Sequence, residues 1–381
     1  MNYEETSLFD IYDPPKVSTD WKWRFSDYPK EKNGIKVFSC FACGGGSTMG
    51  YKLAGCEVLG CVEIDPKMNA VYVKNHHPKY NYCMDLRDFN KLPNEEIPSE
   101  LFNLDILDGS PPCTTFSIAG DREKSWGKTK KFREGQKEQT LDDLSFVFID
   151  TARKLKPKVI IMENVEGLLL GEAWSYVQRI YAELNDAGYF VHHWLLKGEY
   201  MGVPQTRHRT FFVAVHKDLE IDPSWLDMSF NYAPITYAIC KEGIVTPMGD
   251  DKIFGQIARK AIDSDWCIAD TNLRYNGKLS GFQSYYARPN KVLRTIMAKD
   301  DHIDLETIGY ITKETIRNAQ TFPRDYDFGS NVRGVWSYIC GMSVPPVMMK
   351  RVVTRLIEQG MFDYKKKDGA KLNLFLMGGD E

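Results

Sequence analysis

The regular part of the chain begins with an apolar run, a glycine-rich turn, a helical segment and a second apolar run. The run "IKVFSCF" is typical of a buried strand, "STMGYKLAG" of a helix that ends at Gly55, and "EVLGCVEID" of the next strand. Two parallel strands need a crossover connection, and a helix of this length supplies one. The pattern therefore predicts a βαβ unit.

The same alternation recurs further along the chain. The short apolar runs "LDILDGS" and "PKVIIMENV" flank "LDDLSFVFIDTARKLK", whose spacing and basic last turn predict a helix. We therefore predict an α/β fold built on a doubly wound, mostly parallel sheet. Ligands bind such sheets at the carboxyl ends of the strands, so the polar residues that follow these strands should meet at one edge.

Length and composition limit the class of protein. A chain of 381 residues with 43% hydrophobic content can bury a main domain and a smaller one. It has no uninterrupted apolar stretch of the ~18 residues that a membrane span needs, and its N-terminus is acidic, so we expect a cytoplasmic protein. The nine cysteines follow no disulfide framework and predict free thiols. A net charge of -3 requires any polyanion site to be local.

The glycine-rich turn "FACGGGSTMG" is the first candidate binding site. It opens a helix, and Glu63 ends the next strand. Close backbone approach, a helix N-terminus and a carboxylate for ribose hydroxyls suit a nucleoside-containing cofactor. The alternative is that the glycines only make a tight turn. Cys40 and Cys43 have the spacing of a redox or metal pair, but no second pair follows, and we predict no metal site.

Cys113 is the candidate nucleophile. In "DGSPPCTTFS" it follows a predicted strand and two stiffening prolines. Residues 121–138 contain 7 Lys and Arg against 4 Asp and Glu, a local excess of +3. Such a loop can close over a phosphate backbone. The alternatives are a small buried thiol and an ordinary solvated surface.

Glu163, Arg207 and Arg209 are the candidate acid and anion-binding residues. Glu163 ends the apolar strand "VIIM", where an apolar setting favours a protonated carboxyl and hence a proton donor. The alternative for Glu163 is a helix cap. Arg207 and Arg209 stand at alternate positions before "TFFVAV", so both can grip a carboxylate, carbonyl or phosphate, or form surface ion pairs.

Taken together and in this order, the motifs resemble those of the cytosine-C5 DNA methyltransferase family. The match runs from about Ile35 to about Gln359 and leaves out the N-terminal extension, residues 217–287 and the tail. Its motifs are "FACGGGS", "EID", "MDLRDF", "PPCTTFS", "ENVEGLL", "QTRHR", "LRTIM", "TKETIRNAQTFPRDY" and "GMSVPP". The resemblance implies a Rossmann-like methyltransferase fold, S-adenosylmethionine as methyl donor and duplex DNA as partner.

The resemblance also implies a division of the chain, with a monomer expected and a cognate restriction endonuclease left open as a further partner. The parts are an extension (1–34), a catalytic and cofactor-binding domain (35–199), a small target-recognition domain (200–335, variable part 217–287), a C-terminal segment that returns to the catalytic domain (336–362) and a tail (363–381). The helical run "VPPVMMKRVVTRLIEQG" would close the fold.

Roles for individual residues follow from the same resemblance. Cys113 would add to C6 of a flipped cytosine, Glu163 would donate a proton toward N3, and Arg209, beside Arg207, would stabilise the carbonyl oxygen. The implied cofactor residues are Phe41, Cys43, Gly45, Gly46, Ser47, Glu63, Ile64, Asp85, Leu86, Pro112, Met342 and Ser343. The implied DNA contacts are Ser117, Arg122, Lys124, Lys128, Lys130, Lys131, Arg133 and Gln205.

Three positions depart from the family pattern: Cys43 replaces a glycine, Thr114 a glutamine and Met342 an asparagine. For Met342 we expect a neighbouring group to substitute; the alternative is a pocket reshaped for a modified sulfonium cofactor with a larger group. Other functions also remain open: a tRNA cytosine-C5 methyltransferase, a catalytically silent DNA-binding relative and a nicotinamide dehydrogenase. The last lacks a recognisable acid–base pair.

Overall fold

The computed structural model describes residues 14–112, 129–130, 139–140, 144–278, 281, 283–299 and 301–364. Its strands are β1 Lys36–Cys40, β2 Glu57–Val62, β3 Tyr80–Tyr82, β4 Ile106–Gly109, β5 Thr129–Lys130, β6 Gln139–Thr140, β7 Val159–Val165, β8 Tyr189–Lys197, β9 Gln205–Thr206, β10 His208–His216, β11 Tyr286–Ala287, β12 Leu293–Arg294, β13 Ile303–Asp304 and β14 Gly309–Tyr310. Its α-helices are α1 Gly46–Leu53, α2 Pro66–His76, α3 Leu86–Lys91, α4 Leu144–Leu155, α5 Trp174–Asp186, α6 Tyr237–Cys240, α7 Ile253–Ala258, α8 Ile268–Asn276, α9 Lys313–Ala319, α10 Arg333–Met342 and α11 Pro346–Glu358.

A seven-stranded sheet with the order β3-β2-β1-β4-β7-β10-β8 forms the centre of the molecule. The first five of these strands are parallel, whereas β10 runs antiparallel to both β7 and β8. The predicted mostly parallel, doubly wound sheet is confirmed. The apolar pattern of "HRTFFVAV" predicts a strand but carries no signal for its direction.

Helices cover both faces of the sheet, because neighbouring residues of a strand point to opposite sides. Phe38 of β1 packs with α4 and α5 in one core cluster, and Val37 packs with α1 and α11 in another. Helices α1 and α11 approach closely at Gly50, where an added Cβ would lie 2.5 Å from Cβ of Met349. The final helix of the described chain therefore completes one face of a sheet that begins near residue 36.

The part of the N-terminal extension that the structure describes packs on the core. Trp21 and Trp23 are buried in a third cluster, and the Trp23 indole donates to the carbonyl of Thr321 at 2.8 Å. Lys16 forms a backbone bridge with Tyr232. Residues 14–28 thus tie the start of the chain to segments that follow the sheet.

The region after β10 consists of short helices and strands joined by loops. A small separate cluster of Ala258, Ile268, Tyr286 and Ile303 forms its core. The predicted domain boundaries stay predictions, and the tail from residue 365 lies outside the described residues. Within the described ranges, no helix is long and apolar enough to cross a membrane.

Candidate active site

A cavity of about 810 Å³ opens at the carboxyl ends of β1, β2, β4 and β7. The residues around 283–298 and the end of α10 form its opposite wall. The sequence-predicted residues on its wall are Phe41, Cys43, Glu63, Ile64, Asp85, Leu86, Pro112, Glu163, Arg207, Arg209 and Met342. The cavity thus brings together predicted residues that span some 300 positions of the sequence.

Glu63 is fixed at the end of β2 by backbone donors. The N–H of Cys43 donates to its Oε2 at 2.7 Å, and the N–H of Asp65 donates to its Oε1 at 2.8 Å. The side chain is only 7% exposed, and burial raises the pKa of the Glu63 carboxyl while these two donors oppose that rise. The carboxylate is therefore oriented before any ligand binds.

The turn after β1 contains two non-glycine residues with left-handed backbone. Phe41 has φ +57° and Cys43 has φ +45°, a region that residues other than glycine seldom adopt. Cys43 stands where the family has glycine, and its N–H bond to Glu63 holds the conformation. Burial and the charge of Glu63 raise the pKa of the Cys43 thiol to about 12, so it is a protonated neighbour of the cavity.

The redox-pair alternative for Cys40 and Cys43 has no support here. Both thiols are free, and burial raises the pKa of Cys40 as well. A thiol is reactive as its thiolate, so neither residue is poised for disulfide exchange.

The glycines of the turn serve packing. Gly45 has φ +81°, and an added Cβ would lie 2.1 Å from Nε2 of His76; at Gly46 it would lie 2.2 Å from the carbonyl of Val344. Among the described residues, the cavity wall includes neither of these glycines, nor Ser47 or Ser343. Close approach to His76 and Val344 is sufficient to require both glycines, and the contact predicted between these four residues and a cofactor stays a prediction.

Asp85 is the N-cap of α3 and lies on the cavity wall. Its Oδ1 accepts from the N–H of Arg87 at 2.8 Å, and its Oδ2 lies 3.3 Å from Arg87 Nη1. Leu86 beside it is 4% exposed. The helix start thus presents a carboxylate at the cavity with an apolar neighbour behind it.

Glu163 and Arg209 form an ion pair on the cavity wall. Arg209 Nε lies 3.0 Å from Glu163 Oε1, and their side chains are 14% and 9% exposed. Arg209 also donates through Nη1 to the carbonyl of His208 at 2.7 Å. The surface-pair alternative is wrong for Arg209. The helix-cap alternative is wrong for Glu163, because its side chain projects from within β7.

Arg207 and Gln205 point into protein. Arg207 is 3% exposed and donates to the carbonyls of Ile296, Gly341 and Ser343 at 3.0–3.1 Å. Arg207 therefore holds the opposite cavity wall in place. The alternate spacing of Arg207 and Arg209 in the sequence does not predict this role.

Gln205 has no exposed surface. Its amide donates to the carbonyl of Ala319 at 2.7 Å and to Gln320 Oε1 at 2.8 Å, and its Oε1 accepts from the N–H of Ile296 at 2.8 Å. The structure does not support the predicted contact between Gln205 and DNA, because every polar atom of the side chain is already used internally.

The sequence places Asn164 beside Glu163 at the end of an apolar run but gives it no role of its own. Its Nδ2 donates to the carbonyl of Pro111 at 3.4 Å, and its Oδ1 accepts from the N–H of Val165 at 2.8 Å. Asn164 thus ties the prolines that precede Cys113 to the strand that carries Glu163. The only signal in the sequence is its position next to Glu163.

Asp108 is a buried carboxyl beneath the turn. Ser39 donates to its Oδ2 at 2.6 Å and Tyr51 donates to its Oδ1 at 3.0 Å. Burial raises the pKa of Asp108 to about 7, and the charge of Glu163 adds to the rise. Since the unfolded value is about 4, the folded state binds the extra proton between these values, and stability falls as pH rises through that range.

Replacing Asp108 with asparagine is expected to raise Tm at pH 8 and to flatten the fall in Tm between pH 5 and 8. Asparagine carries no charge to bury and still bonds to both hydroxyls. Thermal unfolding of the wild type and D108N at both pH values measures this. D88N, at an exposed position of α3, is the control. Parallel Tm curves for the wild type and D108N would contradict the prediction.

The remaining predicted residues cannot be placed. Cys113, Thr114, Ser117, Arg122, Lys124, Lys128, Lys131 and Arg133 lie outside the described residues, and Lys130 is described only as backbone in β5. Their roles stay predictions from the sequence.

The fold is similar to that of solved methyltransferase structures. A DNA modification methyltransferase candidate encoded within an E. coli prophage aligns with a TM-score of 0.63 and 18% identity, over 85% of this chain and 99% of that one. DNMT2 of Spodoptera frugiperda aligns with a TM-score of 0.59 and 17% identity, over 85% and 100%. Identities this low show likeness of fold alone.

Two type II methyltransferases are similar in sequence. M.FnuDI of Fusobacterium nucleatum is 29% identical over 249 residues, which cover 65% of this chain and 64% of that protein. M.NgoPII of Neisseria gonorrhoeae is 30% identical over 197 residues, which cover 51% of each. The matches thus span between about half and two thirds of these relatives.

A family model matches more of the chain than either relative does. The model for C-5 cytosine-specific DNA methylase matches residues 35–358, from the start of β1 to the end of α11. This range includes the whole cavity wall described above. The chain therefore belongs to the C-5 cytosine-specific DNA methylase family.

Proposed function

We propose that this protein transfers a methyl group from S-adenosylmethionine to C5 of a cytosine that is flipped out of duplex DNA. The observation that carries the proposal is the Glu163–Arg209 ion pair, which shares one cavity with Glu63 and with Pro112, the residue before Cys113. A carboxyl group, a guanidinium and the approach to a thiol thus face a site suited to a nucleoside.

The cavity residues fit S-adenosylmethionine. The preoriented Glu63 carboxylate suits ribose hydroxyls, Asp85 suits an adenine amino group, and the ring of Phe41 offers an apolar surface. The bound cofactor would supply an electrophilic methyl group. Met342 also lies on this wall, so the asparagine of the family pattern is replaced here by an apolar side chain.

The chain's own residues would activate the base. C5 of cytosine is a poor nucleophile until a thiolate adds to C6 and the C5–C6 π electrons are released. We assign that addition to Cys113. Negative charge then moves toward N3 and O2, where Glu163 donates a proton and Arg209 stabilises the oxygen. After C5 has gained its methyl group, loss of the C5 proton to a base expels the Cys113 thiolate.

The target must leave the base stack, because C5 and C6 of a stacked cytosine are out of reach of a cavity wall. The cavity volume of about 810 Å³ leaves room for an inserted base beside a nucleoside cofactor. The basic residues 121–138 would contact the phosphate backbone around it.

Transfer of labelled methyl groups tests the proposal. Duplex DNA, single-stranded DNA and tRNA are each incubated with the protein and labelled S-adenosylmethionine, and bisulfite sequencing then locates the product. We expect label in duplex DNA, as 5-methylcytosine by nucleoside mass. Label in tRNA alone, a heavier C5 group, or no label in any acceptor would each contradict it.

Residues 217–287 are expected to determine which sequence is methylated. Part of this segment forms the small core around Ile268, and its surface exposes Trp266 and Tyr275, two rings able to contact DNA. Replacing 217–287 with the matching segment of a type II relative should move methylation to the relative's site while keeping transfer measurable. Sequencing of methylated plasmid checks this, and an unchanged site would place recognition elsewhere.

A further inference from the structure

His208 lies between two carboxylates at the edge of the candidate active site. Its Nε2 is 2.9 Å from Glu199 Oε1, and its Nδ1 is 3.3 Å from Glu166 Oε2. The two glutamates belong to separate 3-10 turns, one after β7 and one after β8. A histidine with an acceptor at each ring nitrogen makes both contacts as a donor only when it is protonated.

Glu166 is a potential competitor for Arg209. It lies three residues after Glu163 on the cavity wall, and its charge acts on Arg209 together with that of Glu163. The Arg209 side chain is 14% exposed and pairs with Glu163 at 3.0 Å, so a move of Glu166 toward the guanidinium would compete with that pair. Whichever carboxylate binds Arg209 sets the position of the cation in the site.

Glu199 is the second carboxylate that favours the protonated form of His208. Glu199 is 8% exposed, and the described residues offer its Oε2 no hydrogen bond. A buried carboxylate without a cation costs free energy, so a charged His208 stabilises it. The hydrogen bond to Glu199 accordingly raises the pKa of His208.

We propose that protonated His208 is a positioning residue that holds Glu166 away from Arg209 and so leaves the guanidinium to Glu163. The carbonyl of His208 accepts from Arg209 Nη1 at 2.7 Å, so the same residue contacts both partners of this arrangement. The charged groups around the ring are Glu166, Glu199, the neighbouring Arg209 and Lys197, its register partner on β8.

The proposal rests on the proposed function, and H208Q tests it by separating kcat from KM. Glutamine is neutral at every pH and cannot donate to both glutamates at their present positions. We expect kcat of H208Q to fall about 10-fold, the scale of a lost charged hydrogen bond, and KM for DNA to change less than about 2-fold. An unchanged kcat would overturn the proposal.

The matched control is H216Q. His216 stands at the other end of β10 and pairs with Asp218 at 3.4 Å, outside the cavity wall. We expect H216Q to keep the wild-type kcat. An equal loss in H216Q and H208Q would show a general effect of strand β10 and would overturn a specific role for His208.

A double variant tests competition for Arg209. Removing the charge of Glu166 should make the cation at position 208 unnecessary, so kcat of E166Q/H208Q should lie within about 3-fold of kcat of E166Q alone. If H208Q lowers kcat about 10-fold in the E166Q background, as it is expected to do in the wild type, Glu166 and Glu163 do not compete for Arg209 and the proposal is overturned.

The pH dependence supplies a readout that a merely structural contact would not move. Since the folded pKa of His208 is raised, its charge persists to higher pH than in the unfolded chain and is lost as pH rises through the folded pKa. The kcat ratio of wild type to H208Q should therefore be largest at low pH and should shrink as pH rises. A ratio that is constant with pH would overturn the proposal.

Two measurements keep the test independent of folding and of the proposed function. If H208Q does not fold, E199Q retains the histidine and an acceptor oxygen but removes the negative charge nearest to the ring, so the pH profile should shift to lower pH than in the wild type. An unshifted profile overturns the proposal. The Tm difference between wild type and H208Q should likewise shrink as pH rises. Absence of any methyl transfer by the wild type would refute the proposed function, whereas a Tm difference independent of pH would refute the role of His208.

Discussion

Replacing Cys113 with serine is expected to lower the rate of methyl transfer by at least ~10⁴-fold, because a hydroxyl is a far poorer nucleophile toward C6 than a thiolate. Asn164 Nδ2 donates to the carbonyl of Pro111 at 3.4 Å, and Pro112, the last described residue before Cys113, lies on the cavity wall. Cofactor affinity should change little, since Glu63 follows β2 and Asp85 precedes α3, both away from residue 113 in the sequence. Single-turnover transfer to duplex DNA and equilibrium binding of S-adenosylmethionine measure the two effects.

The control for C113S is C83S, which makes the same change at an exposed free cysteine. Duplex DNA that contains 5-fluorocytosine adds a positive test: fluorine does not leave C5 as a proton does, so the covalent adduct should persist on Cys113. Peptide mapping identifies the modified residue. Substantial turnover by C113S, or an adduct on another cysteine, would remove the covalent mechanism.

Replacing Glu163 with glutamine is expected to lower the rate of the chemical step by at least ~10²-fold, the usual scale for a positioned acid. Glutamine keeps the size of the side chain. It has neither the acidic proton that a protonated Glu163 can donate nor the negative charge that pairs with Arg209 at 3.0 Å. DNA affinity should fall much less, because the pair lies within the cavity. Single-turnover rates and DNA binding are compared in the same buffer.

E57Q provides the matched control for E163Q, since Glu57 is an exposed strand residue at the opposite end of β2. We expect E57Q to retain the wild-type rate. A variant E163Q that binds DNA more weakly but reacts at the normal rate once bound would assign Glu163 a structural role.

The residues whose positions follow from the sequence are those at the carboxyl ends of buried apolar runs. Glu63 and Glu163 end apolar runs, and parallel strands bring such ends to one edge, so strand prediction alone locates both carboxylates. No long-range information is needed for these two. Arg209 is different: it stands near the start of β10 and reaches the same edge only because β10 pairs antiparallel with β7, which its sequence does not predict.

The internal contacts that sequence does not predict are those with distant segments. Gly45 and Gly46 carry the same signal whether a ligand or protein approaches them, and only the fold shows His76 and Val344 at those places. In the sequence, Arg207 and Gln205 are polar residues just before a predicted strand, and nothing there indicates their partners. The carbonyls and amide that satisfy them come from segments beginning about 90 residues later in the chain.

The contact between α1 and α11 also has a consequence for how the protein is made. Residues 346–358 cover an apolar sheet face whose first strand begins at residue 36, so a ribosome adds about 310 residues between the two. At typical synthesis rates this takes on the order of 15–60 s, during which the nascent sheet has an uncovered apolar face. A chain that stops before residue 346 should consequently accumulate as a chaperone client or an aggregate, because translation must pass α11 before that face can be buried.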